Sequence, residues 1–308
     1  MEALPLGDYV SPGLEAIQLD SCFPNMICGD KQGHPWVYLR REIPHNWYAD
    51  ARKPLMGFLN RDEATLLYGI AKTLSGARAL EIGCWFGWST CHLALAGLRL
   101  DVVDPVLADP LHRQSIEQSL TCCGVLENVK LHAIPSPQAL GDIYRAHSDG
   151  WSLFFIDGDH ESHAPEKDVE ACLSCAAPDA VFVFHDLASP EVAAGLRILE
   201  ARGFHVLIYQ TMQIMGVAWR GKWSPVHHVP DPKVPWQLPH HLVGFPVSGV
   251  EFCAYPISLR TRLVEQDQQL RAMTTQIQQQ KDMIWDLQKP GLFKKISNRV
   301  TSLMSRSR

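Results

Sequence analysis

Several features that would settle the class of this protein at once are missing from its 308 residues. No apolar run reaches the roughly 18 residues that a membrane span needs. Neither sign of charge dominates. The 28 Lys and Arg stand against 33 Asp and Glu, and the net charge of −5 gives no global case for nucleic acid. Cys172-x-x-Cys175 has no second pair to complete a zinc site and reads as core packing. No signal-peptide pattern opens Met1-Glu2-Ala3-Leu4-Pro5, so the nine cysteines, an odd count, are expected as reduced thiols in a cytoplasmic protein. Nor is apolar material scarce: a hydrophobic content of 46% supports a sizeable core and excludes a disordered or fibrous class.

What is present centres on 78–96. Ala79-Leu80-Glu81-Ile82 reads as a short buried strand, and Ser89 to Ala96 as the first turns of a helix with Ser89 or Thr90 near its N-cap. Between them, Gly83 and Gly87 let the chain turn sharply and let a ligand approach bare backbone. Such a corner binds nucleotide-type ligands in open α/β sheets. The spacing, however, is Glu81-x-Gly83-x-x-x-Gly87-x-Ser89, with bulky Trp85, Phe86 and Trp88 in the turn. The Gly-x-Gly-x-x-Gly of a dinucleotide site is missing, which argues against an NAD-dependent oxidoreductase. A ligand with a charged amino-acid end and no phosphates suits this corner better.

Leu80-Glu81-Ile82-Gly83-Cys84-Trp85-Phe86-Gly87-Trp88-Ser89 resembles the first motif of class I S-adenosylmethionine methyltransferases, closest to the small-molecule O-methyltransferase branch that includes catechol and macrolide-sugar O-methyltransferases. The resemblance spans roughly Leu55 to Trp219. It implies a Rossmann-like α/β fold with a seven-stranded sheet, helices on both faces, and S-adenosylmethionine as cofactor. Expected cofactor contacts are Glu81, Gly83, Trp85, Gly87, Ser89, Asp104, Ser136 and Asp157. Asp104 ends the strand Leu100–Asp104 about 20 residues beyond the glycine turn, where a carboxylate can accept both ribose hydroxyls. Asp101, earlier in that strand, is expected to face a neighbour. Ser136 matches the position that touches the adenine edge, although Ile134 replaces the family glycine and Pro135 and Pro137 flank it.

The chemistry gathers at two further strand ends. Trp151–Ile156 runs into Asp157-Gly158-Asp159-His160, and Val181–Phe184 into His185-Asp186. In a parallel sheet both open on the same crevice as Gly83. Five titratable groups there are hard to explain as packing, because buried charges cost several kcal/mol unless paired or coordinated. The signature resembles the metal-assisted methyltransferases. It implies a divalent cation, Mg2+ or Mn2+, held by Asp157, His185 and Asp186, with His160 as general base. A histidine at 185, where an acid often stands, shifts preference away from Mg2+; His185 can instead orient an acid from behind.

The remainder frames this domain. Residues 1–54 read as an irregular extension wrapping the core, 55–222 as the cofactor-binding domain opened by a helix from Leu59 to Leu74 with Asn60 as its cap, and 223–256 as a Pro- and His-rich loop. In that loop His227-His228 and His240-His241 read as a solvated linker or substrate lid rather than a metal site. Heptad spacing from Leu259 to Leu287, with polar Gln266 and Gln280, predicts a coiled coil over 257–289. A basic amphipathic tail over 290–308 suits an anionic membrane surface or a partner protein. The function expected is O-methylation of a small hydroxylated acceptor, a sugar or glycan, with no nucleic-acid partner. The coil would give a homo-oligomer or a contact in glycan assembly. The alternative is a non-catalytic scaffold that works through its coil.

Overall fold

The computed structural model describes residues 8–29, 36–145 and 150–249, together with positions 273, 276, 277, 280 and 281. The chain up to Ala254 forms one unit and Tyr255–Arg308 a second. The predicted coil is helical and exposed at the five described positions, and otherwise lies, like the basic tail, outside the described residues.

The extension is not wholly irregular. Three short strands, β1 (Met26–Cys28), β2 (Tyr48–Asp50) and β3 (Lys53–Phe58), make an antiparallel sheet in the order β1-β2-β3. Isolated aromatics without periodicity had concealed it. Helix α1 (Arg61–Lys72) follows, capped as expected by Asn60, whose side chain accepts from the Glu63 N–H while Glu63 accepts from the Asn60 N–H.

Seven strands then build the main sheet: β4 (Arg78–Ile82), β5 (Arg99–Val103), β6 (Val129–His132), β7 (Trp151–Ile156), β8 (Ala176–Phe184), β9 (His205–Tyr209) and β10 (Met215–Trp219). They lie in the order β6-β5-β4-β7-β8-β10-β9, with β10 antiparallel to both β8 and β9 and the other pairs parallel. This is the expected Rossmann-like architecture. Because successive side chains alternate faces, Leu153 and Phe155 of β7 join a core with α1, α2 (Trp88–Leu95) and α3 (Pro110–Cys122). Phe154 and Ile156 join one with α4 (Gln138–Arg145), α5 (Ala164–Ser174) and α6 (Pro190–Ala201). Strands buried on both faces read as continuous apolar runs, as these do. Asp101, like Glu81 in β4, is a polar exception. It accepts from Arg78 at 2.7 Å and Trp151 Nε1 at 3.0 Å, with His132 at 3.1 Å, which meets the expectation of a neighbour.

Two expectations are corrected. Cys22 and Cys122 form a disulfide with Cα atoms 5.6 Å apart, tying the extension to α3 across 100 residues of sequence. Such bonds persist in oxidising surroundings, so the cysteines no longer support the cytoplasmic expectation. Cys172 and Cys175 are buried free thiols. Among the described residues, no helix is long and apolar enough to cross a membrane. The Pro- and His-rich loop, for its part, is no solvated linker. His228 and Asp62 are buried and hydrogen-bonded at 2.8 Å, and Asp62 also accepts from the Ser11 N–H. Loss of either partner would strand a buried polar group at a cost of about 1–3 kcal/mol. Farther on, Leu242 and Phe245 enter the core, and the segment at Pro246–Ser248 hydrogen-bonds to Ile208, covering the edge of β9.

Candidate active site at the strand tips

The C-terminal ends of β4, β5, β7 and β8 share one edge of the sheet. At the first, Gly83 has φ +83 and Gly87 φ +87, the left-handed region that glycine enters without strain. Gly87 is the N-cap of α2, displacing Ser89 and Thr90 from that role. Ser89 is instead turned inward, donating to Glu81 Oε1 at 2.5 Å. Glu81 is fully buried, and burial pushes its carboxyl up to about 8, against the opposing hydrogen bond from Ser89. The structure thus gives Glu81 and Ser89 to each other.

This has a pH consequence. An acid near 4.5 when unfolded and near 8 when folded stabilises the protein below the lower value. That contribution is lost as pH rises toward 8, because the native state holds the proton that the unfolded state has released. Urea midpoints should therefore fall between pH 5 and pH 9, by stability on the order of 3 kcal/mol, and Glu81→Gln should flatten that slope. A Gln variant with the wild-type slope would show that Glu81 is not its source.

Asp104 engages the corner itself. Its Oδ2 accepts from the Cys84 N–H at 2.9 Å and the Trp85 N–H at 3.3 Å, and its Oδ1 from the Val106 N–H at 2.9 Å. A carboxylate offers about four lone-pair sites, so most are occupied. Trp85 stands at φ +45, with its carbonyl 2.9 Å from His112 Nε2. Ser136 donates to Asp168 at 2.7 Å. Burial, reinforced by the charge of Asp159, pushes the Asp168 carboxyl up to about 6.

At the tips of β7 and β8 the expected cluster assembles, with a different inner order. His160 Nε2 lies 3.3 Å from Asp157 Oδ1 and 3.6 Å from Asp186 Oδ2. His185 Nδ1 lies 3.3 and 3.2 Å from the same two oxygens, and its Nε2 faces Glu63 at 3.4 Å. Burial alone would lower both imidazoles; the carboxylates of Asp186 and Asp157 outweigh it and raise both. Asp186, at φ +54, is held by Gln213 Nε2 at 2.7 Å, and the Gln213 N–H goes to Glu63 Oε1 at 2.7 Å. The ring of Trp36, from the extension, packs 5.1 Å from that of His160. Asp159 stays at the surface, where its carboxylate accepts from the Glu161 N–H.

One donor atom from each of Asp157, His160 and Asp186 falls within 4.8 Å of the others. The set fits a divalent cation: two carboxylates face an imidazole whose buried Nε2 makes no well-aligned hydrogen bond. The expected set was Asp157, His185 and Asp186. In the structure His160 completes the trio, and both ring nitrogens of His185 face carboxylates, as suits a group acting from behind. Glu63, Gln213 and Asp168 were not foreseen as site residues. Only Glu63 carried a local signal, its place in the capping box.

Residues 80–187 match a family model described as a methyltransferase domain. No curated protein matches the sequence. Among solved structures, the chain resembles an O-methyltransferase from Bacillus cereus in complex with SAH (15% identity, 53% of this chain and 83% of that one, TM-score 0.46). It also resembles the O-methyltransferase TomG from Streptomyces achromogenes, in complex with SAM (19%, 53% and 81%, 0.45), and a precorrin 8W decarboxylase from Methanobacterium thermoautotrophicum (17%, 54% and 93%, 0.44). Likenesses of this strength say nothing of the reaction. The glycine corner and the strand order thus accompany a match to a methyltransferase domain over residues 80–187.

Proposed function

We propose that this domain transfers the methyl group of S-adenosylmethionine to a hydroxyl of a small acceptor, a sugar or a related molecule, with His160 accepting the proton. The observation that carries this reading is the group of Asp157, His160 and Asp186, one strand from the glycine corner. Asp104 and Asp157 beside that corner favour a cationic donor such as a sulfonium. The remaining lone pair of Asp104 suits a ribose hydroxyl. The Trp36 ring next to His160 offers a flat apolar wall of the kind on which a pyranose stacks.

In this mechanism the acceptor oxygen attacks the methyl carbon in line with the sulfur. The C–O bond forms as the C–S bond breaks, the electron pair goes to sulfur, and the hydroxyl proton passes to His160 Nε2. Asp157 and Asp186 face that same nitrogen and stabilise the imidazolium once the proton has arrived. Much of the rate comes from alignment. A cation held by Asp157, Asp186 and His160 would supply a lowered hydroxyl pKa. Nε2 of His160 can serve the proton or the cation but not both. The scaffold alternative is not favoured, because a scaffold has no need of this cluster.

Calorimetry with S-adenosylhomocysteine against NAD tests the donor, and metal analysis with and without chelator tests the cation. Tight binding of the first and none of the second is expected. NAD binding, or no binding of S-adenosylhomocysteine, would remove the reading.

A further inference from the structure

We propose that Gln213 is a positioning residue that couples docking of the N-terminal extension to the orientation of the Asp186 carboxylate. Gln213 lies in the turn between β9 and β10, almost wholly buried, and each of its polar groups is engaged. Its side-chain Nε2 donates to Asp186 Oδ1 at 2.7 Å, and its Oε1 accepts from the Arg40 N–H at 3.0 Å. Its backbone N–H donates to Glu63 Oε1 at 2.7 Å, and its carbonyl accepts from the Ala188 N–H at 3.1 Å. One residue thereby joins the extension, the start of α1 and the tip of β8.

The partners fix which way the amide faces. A carboxylate only accepts and a peptide N–H only donates, so the nitrogen belongs to Asp186 and the oxygen to Arg40. With Oδ1 committed to Gln213, Oδ2 is left facing His160 at 3.6 Å and His185 at 3.2 Å. On the other side, Arg40 stands four residues after Trp36, whose ring packs against His160. A loosened Arg40 loosens the wall over the site, and a loosened Asp186 turns away from the histidine. A glutamate at 213 would keep the acceptor for Arg40 and set a carboxylate against Asp186. A methionine would remove both contacts at similar size.

The positioning role rests on the methyl-transfer reading; the coupling itself is measurable without an acceptor. Amide hydrogen exchange on the full chain should show Gln213→Met speeding exchange across residues 36–45 by about tenfold, as loss of a buried hydrogen bond allows. Exchange across 78–95 and affinity for S-adenosylhomocysteine should stay within about threefold of wild type. Gln213→Glu should leave 36–45 protected yet shift the ring-nitrogen resonances of His160 and His185. A merely structural glutamine would not separate the two variants in this way. Unchanged exchange at 36–45 in the Met variant, a uniform rise across the sheet in both, or identical behaviour of Met and Glu would overturn the proposal. Failure of the wild-type protein to bind S-adenosylhomocysteine would instead remove the methyl-transfer reading and leave the coupling standing.

Discussion

Gly83→Ala is expected to destabilise the protein more than alanine at Gly76 or Gly87, two other glycines of positive φ, and to abolish donor binding. A Cβ at Gly83 would meet the Asp157 carbonyl oxygen at 2.1 Å, its carbon at 2.7 Å and Gly158 Cα at 2.9 Å. All three are backbone, and none can swing aside as a side chain does. The overlap falls where β4 meets β7, at the hydrogen bond from the Asp157 N–H to the Ile82 carbonyl. The other two glycines separate the contributions. Gly76→Ala, at φ +84 with nothing within 4 Å of the added carbon, bears only the left-handed backbone, about 1–2 kcal/mol. Gly87→Ala adds contact with Ile116 Cγ2 at 3.1 Å, a side chain able to yield. Urea midpoints should therefore fall in the order Gly76, Gly87, Gly83, with the last losing roughly 3 kcal/mol or more. A Gly83→Ala protein as stable as Gly76→Ala, or one that binds S-adenosylhomocysteine normally, would show that the corner does not close as described.

His160→Ala is expected to cut turnover by about 10²–10⁴-fold, the range for loss of a general base, with S-adenosylhomocysteine affinity nearly unchanged. The split follows from position. His160 faces Asp157 and Asp186 at the tips of β7 and β8, while the corner proposed for the donor is built by β4 and β5. Metal analysis of the same variant decides between the two uses of Nε2. If the imidazole accepts the proton, any bound Mn2+ remains in the variant; if it ligates, the metal is lost along with turnover. Unchanged turnover would remove His160 from the mechanism altogether.

The glycine corner was legible because its signals are local. A strand, two glycines and a helix start lie within a dozen residues, and the acids that end the neighbouring strands occupy positions that a parallel sheet brings to one edge. The apolar runs at 151–156 and 181–184 marked the strands that carry Asp157 and Asp186. What stayed hidden depends on contacts between distant parts of the chain. The Asp62–His228 pair and the Cys22–Cys122 bond join positions that no spacing connects, and the Pro-rich composition around His228 suggested the opposite of burial. His160 and His185 are nearly equivalent on paper. The packing of α1, which sets Glu63 against the far nitrogen of His185, and of Trp36, which covers His160, distinguishes them. Ser89 and Asp104 show a further limit, since position placed them at the corner but could not reveal that backbone amides and a buried acid already engage them.

The order of the last two strands bears on how the molecule is made. β9 leaves the ribosome before β10 yet lies outboard of it, so β9 has no neighbour in the sheet until β10 has been synthesised and slipped in beside β8. The first five strands of that sheet can pair as they emerge. The turn that bears Gln213 is fixed only when that insertion is complete. A nascent chain halted before Met215 would hold a formed glycine corner beside an Asp186 that still lacks its contact with Gln213, so the wall at the tip of β8 is the last part of the domain to mature.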